Sequence, residues 1–224
     1  MERLPVRRRR SDVWAAAGGL AVLGLGMLAV GDSNEAVTGL EEDAFRAVND
    51  LPEALYPLIW PFQQLGVLVA GPIVAAVALV TRRFRLAFAA LAATVAKLWL
   101  ERVVKETVSR QRPQTSVGDA NLRGDVSSQG ESFVSGHAVL IAALAVLVAP
   151  YLRGRWRFLP WAAIALVMFG RVYVGAHNPL DVICGAGLGI AIGSVLNLVV
   201  GVPARPQDKP APGGAASEPS SSSR

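Results

Sequence analysis

"RVYVGAHNPLD", residues 171–181, breaks two strongly apolar stretches with an arginine, a histidine and an aspartate. The second half reads as a helix start. Asn178 can cap, Pro179 suits the first turn, and Asp181 falls at the third helical position, where an acid favours the helix dipole. The stretch is therefore expected to be a hairpin between two apolar helices. Asp181 is explained by that local role alone. Arg171 is not: inside "MFGRVYVGA", at the end of an apolar helix, an unpaired cation is costly and tends to mark function.

The surroundings fit a membrane setting. The 224 residues are 52% hydrophobic and their mean hydropathy is +0.41, which points to an integral membrane protein rather than a soluble enzyme. Six apolar segments stand out, at residues 13–30, 58–80, 84–104, 137–152, 158–175 and 180–202. A span needs about 20 residues to cross the hydrocarbon, so the fourth and fifth are short and are expected to begin in the interface or pack inside the bundle. Backbone in lipid must satisfy its own hydrogen bonds, so each segment is expected to be a helix. The expected fold class is all-α, a six-transmembrane-helix bundle. The first segment follows the basic "MERLPVRRRR" but is long for a signal-peptide core and lacks a clear cleavage site, so it is read as a retained span.

Arginines set the expected orientation. Arg3 and Arg7 to Arg10, then Arg82, Arg83 and Arg85, then Arg153, Arg155 and Arg157 all fall on one side of a six-span chain, and the positive-inside rule makes that side cytoplasmic. Both termini are then cytoplasmic. The basic N-terminus reads as a topology signal and not a nucleic-acid patch. The connection 31–57 carries the acids Asp32, Glu35, Glu41, Glu42, Asp43, Asp50 and Glu53 against Arg46 and falls outside. Within it Ala36, Val37, Leu40, Ala44, Phe45 and Val48 recur at helical spacing, so an amphipathic surface helix is expected. The divisions are a basic N-terminus at 1–12, a membrane domain at 13–202 and a Pro-, Ser- and Gly-rich tail at 203–224, too poor in apolar residues to bury a core. The single cysteine, Cys184, excludes an intrachain disulfide and reads as packing.

Both histidines fall on the outer face in this topology, together with an unusual set of polar residues. "KETVSRQRP" ends the third span, "SFVSGHA" starts the fourth, and the opening stretch joins the fifth to the sixth. Each has a plain reading as well: Lys105 and Arg112 as snorkelling anchors, Ser135 as a helix N-cap. Together they supply the parts of phosphoryl transfer. Lys105, Arg112 and Arg171 suit phosphate oxygens. A helix beginning at Ser135 and Gly136 points free N–H groups at an anion. Asp181 stands four residues after His177 and can hold one ring nitrogen, leaving the other free to attack. His137 can protonate the leaving oxygen. On the third span Lys97, Glu101 and Lys105 share a helix face, and Glu101 is expected to position Lys105.

The pattern K-x6-RP, then SGH, then R-x5-H-x3-D, carried by Lys105 to Pro113, Ser135 to His137 and Arg171 to Asp181, resembles the type 2 phosphatidic acid phosphatase (PAP2) superfamily. The chain departs from the family pattern at Val134, where proline is usual, and at Gly170, where serine is usual. The resemblance implies a metal-independent membrane lipid phosphatase without cofactor. In it His177 is the nucleophile that becomes a phosphohistidine, Asp181 its partner and His137 the acid. Lys105, Arg112, Ser135, Gly136 and Arg171 bind phosphate. With the site outside, a polyprenyl (undecaprenyl or decaprenyl) diphosphate is the expected substrate, and phosphatidic acid or phosphatidylglycerol phosphate the alternative. A non-catalytic relative that binds or moves lipid phosphates is a further reading, and the full set of reacting residues argues against it. The expected partners are the bilayer and its lipid phosphates, at the cell membrane. Nothing in the sequence sets the oligomeric state.

Overall fold

The computed structural model describes residues 6–30, 37 and 39–204. Readings that fall on Arg3, Asp32, Glu35, Ala36 and the tail from residue 205 lie outside them. The order is β1 (Val6–Arg7), α1 (Arg10–Val30), α2 (Gly39–Asn49), α3 (Tyr56–Gln63), α4 (Ala70–Val80), α5 (Phe84–Thr107), α6 (Pro113–Ser116), α7 (Gly136–Val148), α8 (Leu159–Tyr173), α9 (Pro179–Val200) and β2 (Val202–Pro203), with short 3₁₀ turns between some of them.

Two helices, α1 and α9, are long and apolar enough to cross a membrane. A third span is possible by length if the pair Glu53–Gly66 and Ala70–Val80 is counted as one, bent by 66°. The sequence reading had one unbroken helix over 58–80, and this is corrected. The second helix starts at Ala70, which places Pro72, a residue with no N–H to give, in its first turn.

The centre of the bundle is α7, whose residues from Ala138 to Leu147 are all buried. A helix apolar on every side belongs in such a place. In lipid, helices gain little from the hydrophobic effect when they associate, so close packing carries the interaction. Helix α9 supplies it with a glycine stripe. A Cβ on Gly185 would stand 2.8 Å from the Ser135 carbonyl oxygen, one on Gly189 2.7 Å from the Ala142 Cβ, and one on Gly193 2.7 Å from the Ala143 carbonyl oxygen. On the other side of α9, a Cβ on Gly187 would stand 2.8 Å from the Gly19 carbonyl oxygen on α1, and the Cys184 Sγ fills the space beside Gly26. Cys184 is packed and buried, as its apolar surroundings suggested.

The all-α expectation needs one small correction. β1 and β2 pair antiparallel, Val6 with Pro203 and Arg7 with Val202. Pro203, assigned from sequence to the tail, is thus part of a strand. At this end Arg85 donates to the Val200 carbonyl (3.1 Å) and Arg83 lies 5.1 Å over the Tyr151 ring. The arginine-bearing connections therefore gather at the end of α9 opposite to His177.

The amphipathic helix of the acidic connection is α2, with Phe45 buried. Leu40, placed on its apolar face from sequence, is instead exposed. The long connection after α5 is pinned by Arg123, which donates to the carbonyls of Asn49 (2.9 Å) and Leu51 (2.8 Å) and stacks 4.2 Å over Tyr173. Asn49 accepts the Asn121 N–H at 2.8 Å.

Candidate active site

The residues singled out in the sequence come from four helix ends. Lys105 is in the last turn of α5, Gly136 and His137 open α7, Arg171 is in the last turn of α8, and Asp181 is in the first turn of α9. Arg112 is the residue before α6. They form one connected electrostatic cluster. Arg112 interacts with both Asp181 and Glu101. Arg171 interacts with Arg112. Around His137 stand Arg171, His177, Lys97 and Glu101.

The start of α7 carries an unpaired side chain. Ser135 is at its N-cap and fully buried, but its hydroxyl makes no cap bond. That hydroxyl has no partner among the described residues, and neither do the Nε atoms of Arg112 and Arg171. Buried polar groups are rarely left so. The Ser135 N–H is held by the Asp181 carbonyl at 3.1 Å, and one Arg112 nitrogen by the Ala176 carbonyl at 3.1 Å. Among the described residues no group of three His, Cys, Asp or Glu could hold a metal ion.

Glu101 lies between the two lysines of its helix face, 2.8 Å from Lys105 and 2.6 Å from Lys97. Its carboxylate also rests on the start of α7: a Cβ on Gly136 would be 2.5 Å from Oε2. Only glycine lets the carboxylate and the helix end approach this closely.

His177 is buried between α8 and α9. Its Nδ1 lies 2.9 Å from the Ser132 carbonyl oxygen and 3.8 Å from Asp181 Oδ2. The hydrogen bond that the i, i+4 spacing suggested between ring and carboxylate is therefore taken by a backbone carbonyl. A carbonyl only accepts, so Nδ1 carries the proton and Nε2 the lone pair. Burial lowers the His177 pKa to about 4; the Asp181 carboxylate opposes this, and the cations of Arg171 and Arg112 add to it. The ring is neutral at ordinary pH.

Asp181 is fully buried. Oδ2 accepts the Ser132 hydroxyl and the Asn178 N–H at 2.8 Å. Oδ1 accepts Arg110 at 3.0 Å. Asn178 sits at the N-cap as expected, but its own Oδ1 has no partner, so the cap is made from the Asp181 side. Arg110 pairs in turn with Glu41 of α2 (2.5 Å), and Glu41 accepts the Leu180 N–H at 2.9 Å.

Sequence reasoning missed Ser132 and Glu41 and left Arg110 without a role. Ser132 is one serine among many in its connection, and Glu41 sits in an acidic run that reads as a solvated face. It also missed Gln63. The departure at Gly170 is matched by this residue, whose amide occupies the space a Cβ on Gly170 would need. Gln63 is buried and its Oε1 has no partner among the described residues. Val134, the other departure, is fully buried in the main apolar cluster.

Apolar helices with two histidines and a set of cations gathered at one end define the class, an α-helical membrane protein. Within it, the chain belongs to the PAP2 superfamily, whose family model matches residues 84–203. It is 32% identical over 62 residues to the lipid A 4'-phosphatase of Porphyromonas gingivalis, covering 27% of this chain and 26% of that protein. It is 33% identical over 99 residues to the decaprenylphosphoryl-5-phosphoribose phosphatase of Mycobacterium tuberculosis, covering 44% of this chain and 52% of that one. The chain thus spans about a quarter and about half the length of these curated relatives. Among solved structures, Aquifex aeolicus LpxE superposes with a TM-score of 0.64 at 24% identity, over 71% of this chain and 95% of the other. The PAP2-type phosphatidylglycerolphosphate phosphatase of Bacillus subtilis superposes with a TM-score of 0.67 at 21% identity, over 82% and 94%. At these identities the likeness is one of fold.

Proposed function

We propose that the protein is a membrane phosphatase that removes phosphate from a lipid phosphate or diphosphate through a phosphohistidine. The observation that carries this is the His177 ring: buried, neutral, with its Nδ1–H given to a carbonyl and Nε2 left to attack. In the first step Nε2 forms a bond to phosphorus and the bond to the lipid oxygen breaks. His137 gives that oxygen its proton. In the second step His137 takes a proton from water, the water oxygen bonds to phosphorus, and the phosphorus–nitrogen bond breaks. Lys105, Arg112, Arg171, the free Ser135 hydroxyl and the open end of α7 stabilise the charge on the phosphoryl oxygens.

The topology proposed is six-spanning, with both termini cytoplasmic, the catalytic unit at 13–202 and the site on the extracytoplasmic face. The gathering of arginines at the end opposite to the histidines supports it. A polyprenyl diphosphate suits a site on that face. The names of the relatives favour a second reading, a single phosphate on a lipid: lipid A 4'-phosphate, decaprenylphosphoryl-5-phosphoribose or phosphatidylglycerolphosphate. The deciding experiment is phosphate release by the purified protein from a panel holding a polyprenyl diphosphate, phosphatidic acid, phosphatidylglycerol phosphate and a lipid-linked phosphosugar, with His177→Ala as control. Release from one class by the wild type alone is expected. Binding without release from any of them would replace the enzyme with a lipid-phosphate carrier.

A further inference from the structure

We infer that Ser132 is the positioning residue through which Asp181 acts on His177, its carbonyl holding the ring and its hydroxyl fixing that carbonyl to the carboxylate. The inference rests on the proposed phosphatase reading and extends it to a residue outside the three sequence motifs.

The geometry closes a ring of contacts. The Ser132 carbonyl takes the His177 Nδ1–H at 2.9 Å. The Ser132 hydroxyl donates to Asp181 Oδ2. The Ser132 N–H donates to the Arg110 carbonyl at 2.7 Å, and the Arg110 guanidinium returns to Asp181 Oδ1 at 3.0 Å. Ser132, Asp181 and Arg110 are all buried, so water does not compete for these bonds. Asp181, at 3.8 Å from the ring nitrogen, touches the imidazole less closely than the serine carbonyl does. Its lone pairs go to Ser132, Asn178 and Arg110 instead. Outer partners that orient a metal-binding imidazole are worth roughly ten- to a hundredfold in affinity or activity, and the same scale is taken for this one.

The inference separates two accounts of Asp181. If the carboxylate acts through Ser132, removing the hydroxyl removes most of what Asp181 does. If it acts directly on the ring, the two contributions are independent and multiply. The test is a double-mutant cycle in kcat with Ser132→Ala, Asp181→Asn and the pair, on the substrate the panel selects. Each single change is expected to lower kcat by roughly ten- to a hundredfold with KM within about threefold, and the pair to fall within about twofold of the poorer single variant. Multiplying losses would overturn the inference. A second reading needs no turnover. The protein has two histidines, so ¹⁵N-histidine NMR, with His177→Ala for assignment, reports the His177 tautomer directly. The wild type is expected in the Nδ1–H form and Ser132→Ala in a mixture of forms. A wild-type Nε2–H ring, or an Nδ1–H ring untouched by Ser132→Ala, would sink the inference. If the wild type releases no phosphate from any substrate, the enzyme reading fails while the tautomer measurement still decides the role of Ser132.

Discussion

The side-chain amide of Gln63, at the end of α3, stands where a side chain on Gly170 of α8 would begin. The two residues are far apart in the chain and share one volume. The serine usual in the family at position 170 cannot be added here without moving Gln63.

Gly170→Ser is therefore expected to destabilise the protein by about 1–3 kcal/mol, the usual cost of overpacking. Combining it with Gln63→Ala should restore most of the loss. Thermal unfolding of the three variants in detergent checks this. A single Gly170→Ser variant as stable as the wild type would show that the space is not shared.

Replacing His177 by alanine should lower phosphate release by more than about a thousandfold, since a missing nucleophile leaves only binding and electrostatics. The helices should remain, as judged by circular dichroism. The wild-type activity should survive EDTA. Substantial turnover by His177→Ala would refute the nucleophile, and a strict need for a divalent ion would refute the proposed chemistry.

The pH dependence follows from the direction of the His177 shift. Attack needs the neutral ring, and its pKa is lowered to about 4. Activity should therefore hold on going down from neutral pH and fall only below about pH 4, by about tenfold per unit in kcat/KM. An acid limb near pH 6.5, the value of a free imidazole, would mean that His177 is not shielded as the structure has it.

Glu101→Gln should lower kcat/KM by about tenfold, because Lys105 and Lys97 both lose their carboxylate and Lys105 its aim. Steady-state kinetics decide it. Unchanged constants would leave Glu101 as a tolerated acid on a helix face.

Gly189→Ala should both destabilise the protein, by roughly 1–3 kcal/mol, and lower kcat, although the residue is two turns from the chemistry. The Cβ would push α9 off α7. Since α9 carries Asp181 and α7 carries His137, a displaced interface misplaces the two. Thermal unfolding and kcat measured on one preparation test the coupling. Full activity in a destabilised variant would show that the site tolerates the shift.

What the sequence made legible was whatever local rules control. Apolar runs located α1, α5, α7, α8 and α9, and the Asn-Pro-x-Asp start located the first turn of α9 to the residue. The break in 58–80 was missed because hydropathy alone does not register where one helix ends and the next begins. At the site, charged residues stood out against apolar surroundings, so Lys105, Arg112, Arg171 and both histidines could be read directly. Their supporting partners could not. Ser132 acts through its carbonyl as much as its hydroxyl, and a carbonyl has no sequence signature. Glu41 reaches Arg110 and Leu180 across the fold from a helix whose acids look solvated. Gln63 is polar, exposed by any local rule, and yet buried with its amide in the space that a side chain at residue 170 would need.

The close contact of α1 with α9 bears on how the chain is made. The face of α1 that carries Gly19 and Gly26 packs chiefly against α9. At synthesis rates of about 5–20 residues per second, the interval between the two is on the order of ten to thirty seconds. For that time the face of α1 that meets α9 has no partner there. The β1–β2 pair, Val6 with Pro203, can close only after this wait. Docking of α1 thus waits for α9, and substitutions on the α1 face would show themselves first as lost yield, before any effect on catalysis.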